Sequence, residues 1–317
     1  MNKQPLIILT GPTAVGKTSA SIGLAKAIGG EIISADSMQV YRHMDIGSAK
    51  ITKAEMDGVP HHLIDVLDFG DAFNVVTFQQ LAKSAMAEIY ANGHIPIVVG
   101  GTGFYIQALL YDIVFSEEED ASAYREELEQ LAKERGGEYL YEQLLQVDPE
   151  GAEAIHPNNT KRVIRALEYY RNTGHKISDH NAASRQKESP YHFCYFVLDM
   201  ERDKLYERID KRVDIMVEHG LVSEVEGLRD MGATRDMVSM QGLGYKEVLD
   251  YFDGEITLDE AIYRIKRDSR HFAKRQLTWF RRERDVTWIH KEDFDMDEER
   301  ILQFMLQTLR TERIVHE

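Results

Sequence analysis

Residues 10–20 read TGPTAVGKTSA, in which Gly11 and Gly16 are separated by four residues and the second glycine is followed by lysine and threonine. This spacing is that of a Walker A phosphate-binding loop. The glycines let successive backbone N–H groups point inward, the lysine neutralises phosphate oxygens, and the threonine hydroxyl can bind Mg²⁺. The apolar run PLIILT at 5–10 predicts a buried strand before the loop, and a helix is expected from the loop to about Ile28. The stretch therefore predicts a phosphate site where a strand meets a helix.

Further apolar segments alternate with helical ones along the chain. Strands are predicted at EIISA, IPIVVGG, YHFCYFVLDM and VTWIH, while HHLIDVLDF is either a strand or an extended connection. Residues 74–91 have helical spacing, with Asn74 as the N-cap. Because strands that alternate with helices pair in parallel, the pattern predicts an α/β fold with a parallel sheet.

The character of the chain changes at Ser116, where a charged, helical stretch begins. Helices are predicted on both sides of Gly136-Gly137, and the segment HPNNTKRVIRALEYYRNT predicts another that stops at Gly174. Strand chemistry then returns, and one long helix is predicted over 258–284. We therefore expect a core domain of residues 1–115 and 191–317, interrupted by a mainly helical insertion domain at 116–190.

The composition bounds the class of protein. The chain has 317 residues, 43% hydrophobic and 29% charged, with a single cysteine, Cys194. One cysteine excludes an intramolecular disulfide, and no Cys/His cluster has the spacing of structural zinc. No apolar run reaches the roughly 20 residues of a membrane span, and no secretory leader is evident at the N-terminus. A cytoplasmic protein is expected.

The net charge of −16 taken alone argues against nucleic acid as a partner. The charge is unevenly distributed, however. Residues 116–150 carry 12 acidic and 3 basic residues, whereas residues 156–187 carry 7 basic and 2 acidic residues, and residues 264–284 carry 9 basic and 2 acidic residues. Two basic stretches in an acidic chain predict local surfaces that bind phosphates.

The usual hydrolysis machinery of an NTPase is not evident. Such an enzyme has an acid at the end of a second strand that helps to hold Mg²⁺. The strand IPIVVGG ends in glycine, and the acid at a strand end is instead Asp36, in SADSMQVY. The loop is therefore expected to hold a diphosphate that leaves rather than one hydrolysed as fuel. Asp36 is a candidate proton acceptor at the ligand-binding edge of the sheet; a turn aspartate is the alternative.

Two other segments carry candidate site residues. Thr102 lies in GGTGFY, directly after a predicted strand, and a tight strand–helix turn is the alternative interpretation. Arg208 and Arg212 lie one helical turn apart in LYERIDKRVDIMVEHG, beside an apolar stripe. An arginine aimed at the phosphate loop stabilises charge on a departing diphosphate. The alternative for the arginines is a solvated helix face.

The long helix predicted at 258–284 has two distinct faces. Its buried stripe is expected to consist of Ile262, Ile265, Phe272 and Trp279. Four cations, with Thr278, fall on another face: Arg267, Arg270, Lys274 and Arg281. A basic ridge of this kind can follow a nucleic-acid backbone, and a solvated charged face is the alternative.

Taken together, these motifs resemble one family, the tRNA dimethylallyltransferases (tRNA isopentenyltransferases) in their bacterial form. The resemblance rests on GPTAVGKT, ADSMQVY, GGTGFY, HPNNTKRVIRALE, RIDKRVDIMVEHGLVSEV, GLGYKE and RQLTWFRRE, which occur in the order typical of the family and cover nearly the whole chain. Eukaryotic relatives often add a C-terminal zinc finger, and the single cysteine favours the bacterial form.

The resemblance implies a P-loop NTPase-like fold with an insertion that grips the anticodon stem-loop. The implied reaction is transfer of a dimethylallyl group from dimethylallyl diphosphate to N6 of adenosine 37 in tRNA, with release of diphosphate. Mg²⁺ is the implied cofactor, with Thr18 as its ligand. The partners are tRNA and dimethylallyl diphosphate, without a membrane, and the protein is expected to be a monomer.

The resemblance also assigns roles to individual residues. Asp36, Thr102, Lys17 and Arg212 are the implied catalytic residues, Asp36 as the base and Arg212 on the diphosphate. The diphosphate-binding residues are Gly11, Pro12, Thr13, Ala14, Val15, Gly16, Lys17 and Thr18. The tRNA-binding residues are Asp36, Ser37, Met38, Gln39, Thr102, Arg125, Lys161, Arg162, Val163, Ile164, Arg165, Gln276, Leu277, Thr278, Trp279, Phe280, Arg281, Arg282 and Glu283.

Three other functions fit parts of the sequence. A small-molecule kinase would use the same loop but leaves the basic stretches unexplained. An adenylate isopentenyltransferase, which prenylates a free nucleotide, has no need of those basic stretches. A non-catalytic RNA-binding module that keeps the loop as a switch would not need the carboxylate of Asp36 at the sheet edge.

Overall fold

The computed structural model describes residues 3–115 and 121–315. The chain divides into two compact units, one made of Met1–Leu110 and Pro190–Glu317 and the other of Tyr111–Ser189. The predicted start of an insertion at Ser116 lies outside the described residues.

Six parallel strands form one sheet in the larger unit, in the order β3-β2-β4-β1-β5-β6. The strands are β1 (Pro5–Thr10), β2 (Glu31–Ala35), β3 (His61–His62), β4 (Pro96–Gly100), β5 (His192–Asp199) and β6 (Val286–His290). All strands point the same way, so their carboxyl ends share one edge of the sheet. The predicted α/β, P-loop NTPase-like fold is confirmed.

The central strands are buried on both faces, which explains why they read as continuous apolar runs. In β1 the side chains of Leu6 to Leu9 are at most 1% exposed. β1 pairs with β4 on one side and β5 on the other, with Leu9 opposite Val99 and Phe196. The segment HHLIDVLDF, for which a strand and an extended connection are both expected, contributes only His61–His62 to the sheet.

Helices cover the sheet of the larger unit. They are α1 (Lys17–Ile28), α2 (Lys53–Met56), α3 (Val75–Ala91), α4 (Gly103–Leu110), α10 (Arg202–Glu218), α11 (Leu221–Asp230), α12 (Tyr245–Phe252), α13 (Leu258–Phe280) and α14 (Glu298–Thr311). α3 begins as predicted, because the Asn74 side chain accepts hydrogen bonds from the backbone N–H groups of Val76 and Thr77. α1 ends at Gly29, whose left-handed φ of 64° closes the last turn.

The predicted long helix differs from α13 in two respects. Helix α13 ends at Phe280, whereas the prediction extended to residue 284, so Arg281 to Arg284 lie beyond the last turn of α13. Its buried positions are Ala261, Ile265, Ala273, Gln276 and Phe280, and only Ile265 belongs to the predicted stripe. The predicted stripe contained only large apolar side chains, whereas two alanines and a hydrogen-bonded glutamine share the packed face with Ile265 and Phe280.

The smaller unit consists of helices around its own core. They are α5 (Ala121–Arg135), α6 (Gly137–Val147), α7 (Pro149–Glu153), α8 (Thr160–Thr173) and α9 (Ile177–Gln186). The core includes Leu128, Leu140, Leu144, Val163 and Ile164, each at most 5% exposed. The break at Gly136-Gly137 and the stop at Gly174 occur as predicted. Within the described residues, no helix is long and apolar enough to cross a membrane.

Candidate active site at the carboxyl edge of the sheet

The phosphate loop connects β1 to α1, as its sequence predicts. Gly11 and Gly16 have φ values of 150° and 103°, and Ala14 between them has a φ of 64°. A Cβ at Gly11 would lie 2.4 Å from the carbonyl oxygen of Leu198 in β5, so only glycine fits between the two strands. The local geometry of the loop therefore depends on glycine at both ends.

The side chain of Lys17 lies across the loop that precedes it. Its Nζ donates hydrogen bonds to the carbonyl oxygens of Gly11, at 3.0 Å, and Pro12, at 2.9 Å. Burial and the nearby charge of Arg212 lower the pKa of Lys17 to about 7, although the carboxylate of Asp36 acts in the opposite direction. An anion that enters the loop would stabilise the charged form of Lys17 and raise its pKa again.

Two arginines of α10 contact the phosphate loop. Arg208 Nε donates to the carbonyl oxygen of Ala14 at 2.9 Å, and Arg212 Nη1 lies 3.5 Å from the hydroxyl of Thr13. Burial lowers the pKa of Arg212, and Asp36 opposes this shift. The arginine pair predicted from helical spacing therefore lies at the phosphate loop, with Arg212 partly buried beside it.

Asp36 directly follows β2, the second strand from β1 across β4. Its Oδ1 accepts hydrogen bonds from the backbone N–H groups of Met38, at 2.8 Å, and Gln39, at 3.4 Å. Asp36 therefore holds a turn, which was the alternative interpretation. It also lies close enough to Lys17 and Arg212 to oppose the lowering of the pKa of both. One carboxylate thus accepts hydrogen bonds from the turn and lies near the cations of the phosphate loop.

The turn after β4 brings a third strand end to the same edge. β4 ends at Gly100, where a Cβ would lie 2.3 Å from the carbonyl oxygen of Ala35. The amide of Thr102 donates to that same oxygen at 3.3 Å, and the carbonyl of Thr102 starts α4 by accepting from Ile106 at 3.2 Å. The backbone of Thr102 therefore forms the strand–helix turn, and its side chain is partly exposed at the site.

Gln276 of α13 joins the phosphate loop to this turn. Its Oε1 accepts from the amide of Thr13 at 2.9 Å, and its Nε2 donates to the carbonyl oxygen of Gly101 at 3.0 Å. The residue is 6% exposed. Both the oxygen and the nitrogen of the side-chain amide are thus hydrogen-bonded within the protein, so Gln276 connects the phosphate loop to the turn after β4.

The remaining residues of the RQLTWFRRE motif divide into buried and exposed members. Trp279 packs over Gly103, where a Cβ would lie 2.2 Å from the indole, and its ring meets Phe104 edge-on at 6.2 Å. Phe280 is fully buried, and burial raises the pKa of Glu283 to about 7. Thr278, Arg281 and Arg282 are exposed. The exposed residues of the motif, and the partly exposed Leu277 and Trp279, can therefore contact a large ligand directly.

The predicted basic ridge of α13 is interrupted by ion pairs with acids of the same chain. Arg270 binds Asp210 of α10, and Arg267 binds its neighbour Asp268 at 2.8 Å. Lys274, by contrast, is exposed, as are Arg281 and Arg282 beyond the helix. The cationic surface is therefore strongest toward the C-terminal end of α13.

In the smaller unit, the segment 161–165 lies on α8. Lys161, Arg162 and Arg165 are exposed, whereas Val163 and Ile164 are at most 5% exposed and belong to the core. Arg125 of α5 binds Glu168 at 2.8 Å with about half of its side chain exposed. The three exposed cations of α8 form a basic patch of this unit.

One group at the phosphate loop is not among the residues that the sequence predicts for the site. The side chain of Lys291, which follows β6, is 2% exposed, and its Nζ lies 3.4 Å from the carbonyl oxygen of Val15. It also binds Glu298, at the start of α14. No local sequence signal predicts that Lys291 lies at the phosphate loop, because Lys291 and Val15 are 276 residues apart in the chain.

A six-stranded parallel sheet with a Walker A loop after β1 defines a P-loop NTPase-like protein. Residues 39–283 match the family model described as IPP transferase, and residues 4–71 match the model described as isopentenyl transferase. The chain is 58% identical to a tRNA dimethylallyltransferase of Lachnoclostridium phytofermentans, over 98% of this chain and 99% of that relative. The chain belongs to the IPP transferase family, as its motifs predict.

Solved structures agree with this assignment. The full-length tRNA isopentenylpyrophosphate transferase of Bacillus halodurans is 48% identical with a TM-score of 0.73, and the alignment covers 98% of each chain. A tRNA isopentenylpyrophosphate transferase of Staphylococcus epidermidis is 42% identical with a TM-score of 0.72, covering 98% of this chain and 100% of the other. A eukaryotic dimethylallyltransferase acting on tRNA is 30% identical with a TM-score of 0.74, covering 90% of this chain and 74% of that one.

Proposed function

We propose that this protein transfers the dimethylallyl group from dimethylallyl diphosphate to N6 of adenosine 37 in tRNA and releases diphosphate. One observation carries the proposal: Asp36, at the end of β2, lies at the same carboxyl edge of the sheet as the phosphate loop and opposes the lowering of the pKa of Lys17 and Arg212, while β4 ends at Gly100 and is followed by Gly101. A carboxylate opposite the cationic loop suits proton removal from a nucleophile better than nucleotide hydrolysis. The 58% identity to a tRNA dimethylallyltransferase supports the same reaction.

The chemistry assigns a role to each group at the site. The C1–O bond of the diphosphate ester breaks, and the electron pair leaves with the diphosphate. The N–H groups of the loop, with Lys17 and Arg212, stabilise the charge that develops on the departing oxygens. N6 of the adenine bonds to C1, and its proton passes to the carboxylate of Asp36. The reaction consumes no ATP.

Mg²⁺ is the cofactor we propose, with Thr18 as its protein ligand. The Thr18 side chain is exposed in the first turn of α1, next to Lys17. The described residues contain no cluster of three or more His, Cys, Asp or Glu side chains that could hold a metal. A single hydroxyl fits an ion that keeps water and substrate phosphate oxygens as its other ligands, which Mg²⁺ prefers. When bound, the ion neutralises the leaving diphosphate.

For tRNA, we propose contacts at the exposed cations of each unit. In the larger unit these are Lys274, Arg281 and Arg282, together with the partly exposed turn Asp36–Gln39. In the smaller unit they are Lys161, Arg162 and Arg165. Adenosine 37 must leave its stack, because N6 within a stacked loop cannot reach a carbon held at the sheet edge. We propose that Thr102, partly exposed at this edge, contacts the extruded base.

We further propose a monomeric, cytoplasmic enzyme. Cys194, the single cysteine, is buried, and burial raises the pKa of its thiol to about 12, which disfavours a disulfide between two copies of the chain. Mass photometry or sedimentation of the purified protein measures the oligomeric state directly. A dimer at micromolar concentration would contradict the monomer.

One assay tests the function and separates its rivals. The full chain is incubated with Mg²⁺, dimethylallyl diphosphate and unmodified tRNA, and the digested tRNA is analysed by mass spectrometry for an adenosine heavier by one dimethylallyl group. We expect this product and stoichiometric diphosphate. Prenylation of free AMP in preference to tRNA, or phosphate release from ATP without tRNA modification, overturns the proposal.

A further inference from the structure

The backbone carbonyl oxygens of the phosphate loop accept hydrogen bonds from four side chains. A loop whose carbonyl oxygens bind donors on its outer side keeps its N–H groups turned inward, where an anion binds. Two donors lie in the first turn of α1: Lys17 donates to Gly11 and Pro12, and the hydroxyl of Ser19 donates to Gly16. The other two are distant in sequence: Arg208 donates to Ala14, and Lys291 donates to Val15.

Among these donors, Lys291 is the most deeply buried. The whole residue is 1% exposed, and its ammonium lies directly behind the loop. A Cβ at Gly16 would be 3.1 Å from Nζ, and the distance from Nζ to the Val15 oxygen is 3.4 Å. Removing an ammonium from water is costly unless it is paired and hydrogen-bonded, and Glu298 supplies the pairing charge.

Glu298 connects the same ammonium to a second point of the loop. Its Oε2 lies 3.5 Å from the hydroxyl of Ser19, which donates to the carbonyl oxygen of Gly16 at 3.1 Å. Between Lys291 and Glu298 the chain turns through two non-glycine residues with left-handed φ, Asp295 at 56° and Met296 at 61°. A turn built from unfavourable conformations places both charges at the loop.

We propose that Lys291 is a positioning residue for the phosphate loop, with Glu298 holding it in place. It binds the Val15 carbonyl on the outer side, which keeps the neighbouring N–H groups directed at the diphosphate, and it adds a positive charge behind the loop. This inference rests on the proposed function, in which the loop holds a diphosphate. α14, at the far end of the chain, thereby becomes part of the diphosphate site.

Binding of inorganic diphosphate to the full chain, measured by calorimetry with Mg²⁺ present, tests the proposal. We expect Lys291→Met to bind diphosphate about tenfold more weakly, the loss expected for one charge-assisted contact. Lys291→Arg keeps the charge and the donor, so its affinity should stay within about threefold of the parent. The KM for dimethylallyl diphosphate should rise in Lys291→Met while the KM for tRNA stays unchanged.

Lys50→Met is the matched control. Lys50 is another buried lysine, with a side chain 4% exposed, and it binds Asp45, Asp65 and the carbonyl of Tyr41, each at 2.6 Å. Both methionine variants should lower the melting temperature, because each leaves carboxylates without their partner. Only the change at Lys291 should weaken diphosphate binding.

The outcomes separate the two proposals. If the parent itself does not bind diphosphate, the proposed function fails. If the parent binds and Lys291→Met binds equally well, only the positioning role is overturned. Should Lys291→Met not fold, Glu298→Gln decides: without the carboxylate that holds Lys291 in place, diphosphate binding should weaken about threefold, and a Glu298→Gln variant that binds as tightly as the parent or more tightly overturns the inference.

Discussion

The side-chain carbonyl of Gln276 accepts a hydrogen bond from the backbone amide of Thr13 at 2.9 Å, across 263 residues of sequence. Through its NH₂ group the same side chain binds the carbonyl oxygen of Gly101 at 3.0 Å. The phosphate loop, the turn before α4 and helix α13 therefore meet at one buried amide. Because the exposed cations proposed to bind tRNA lie in the last turns of α13 and directly after it, this contact links the two substrate sites.

Gln276→Leu should reduce turnover about tenfold and lower stability by about 1–3 kcal/mol, since it leaves the Thr13 amide and the Gly101 carbonyl without their partner. Gln79→Leu is the control: Gln79 is also buried, and its amide donates to the carbonyl of Ala108 at 2.8 Å. Steady-state kinetics and chemical denaturation measure both effects. Equal losses of turnover in the two variants would reduce Gln276 to a general packing role.

Asp36→Asn should lower kcat by about 10²–10⁴-fold, the contribution of a general base, with diphosphate affinity little changed. Asparagine is chosen because its Oδ1 can still accept from the amides of Met38 and Gln39, which keeps the turn. Asp36→Ala loses both functions and should be at least as slow. Single-turnover prenylation measures the chemical step. Near-parental rates in the asparagine variant would mean that Asp36 serves only the turn.

Changing Arg281 and Arg282 together to alanine should weaken tRNA binding and flatten its salt dependence, by about 0.7–0.9 in log–log slope for each tRNA phosphate that the variant no longer binds. Dimethylallyl diphosphate binding should not change. The control replaces Arg300 and Arg310, two exposed arginines of α14, and removes the same charge elsewhere. Titrations of tRNA at several salt concentrations provide the slopes. A slope equal to that of the parent would show that Arg281 and Arg282 only solvate the helix end.

Diphosphate affinity should depend on pH through Lys17, whose pKa is lowered to about 7 in the free protein. Bound diphosphate stabilises the charged lysine and raises its pKa, so binding takes up a proton above pH 7. The contribution of Lys17 to the affinity should therefore be constant below about pH 6 and fall by up to about tenfold per unit above pH 7.

Lys17→Arg separates this effect from the titration of diphosphate itself, because arginine stays charged throughout. Calorimetry from about pH 6 to pH 9 should show the affinity of the parent falling relative to that of the variant. A ratio of the two affinities that does not change with pH would contradict a neutral Lys17 in the free protein.

Much of the fold follows from short-range pattern. The glycines and apolar residues around residues 10–20 predicted β1, the loop and α1, and Asn74 predicted the start of α3. The prediction for α13 was wrong at its end and on its buried face. Helical periodicity shows which residues share a face, but the neighbours in space decide which face is packed, and here Ala273 and Gln276 lie inward.

By itself, the sequence determined the phosphate loop, the alternation of strands and helices, the position of Asp36 at a strand end and the family to which the chain belongs. These depend on residues within a few positions of each other. Only the tertiary structure decided that Gln276 holds Thr13, that Arg270 binds Asp210 and that Lys291 lies behind Val15. Those pairings depend on the packing of segments between 60 and 276 residues apart around a sheet of order β3-β2-β4-β1-β5-β6, which leaves no local trace in the chain.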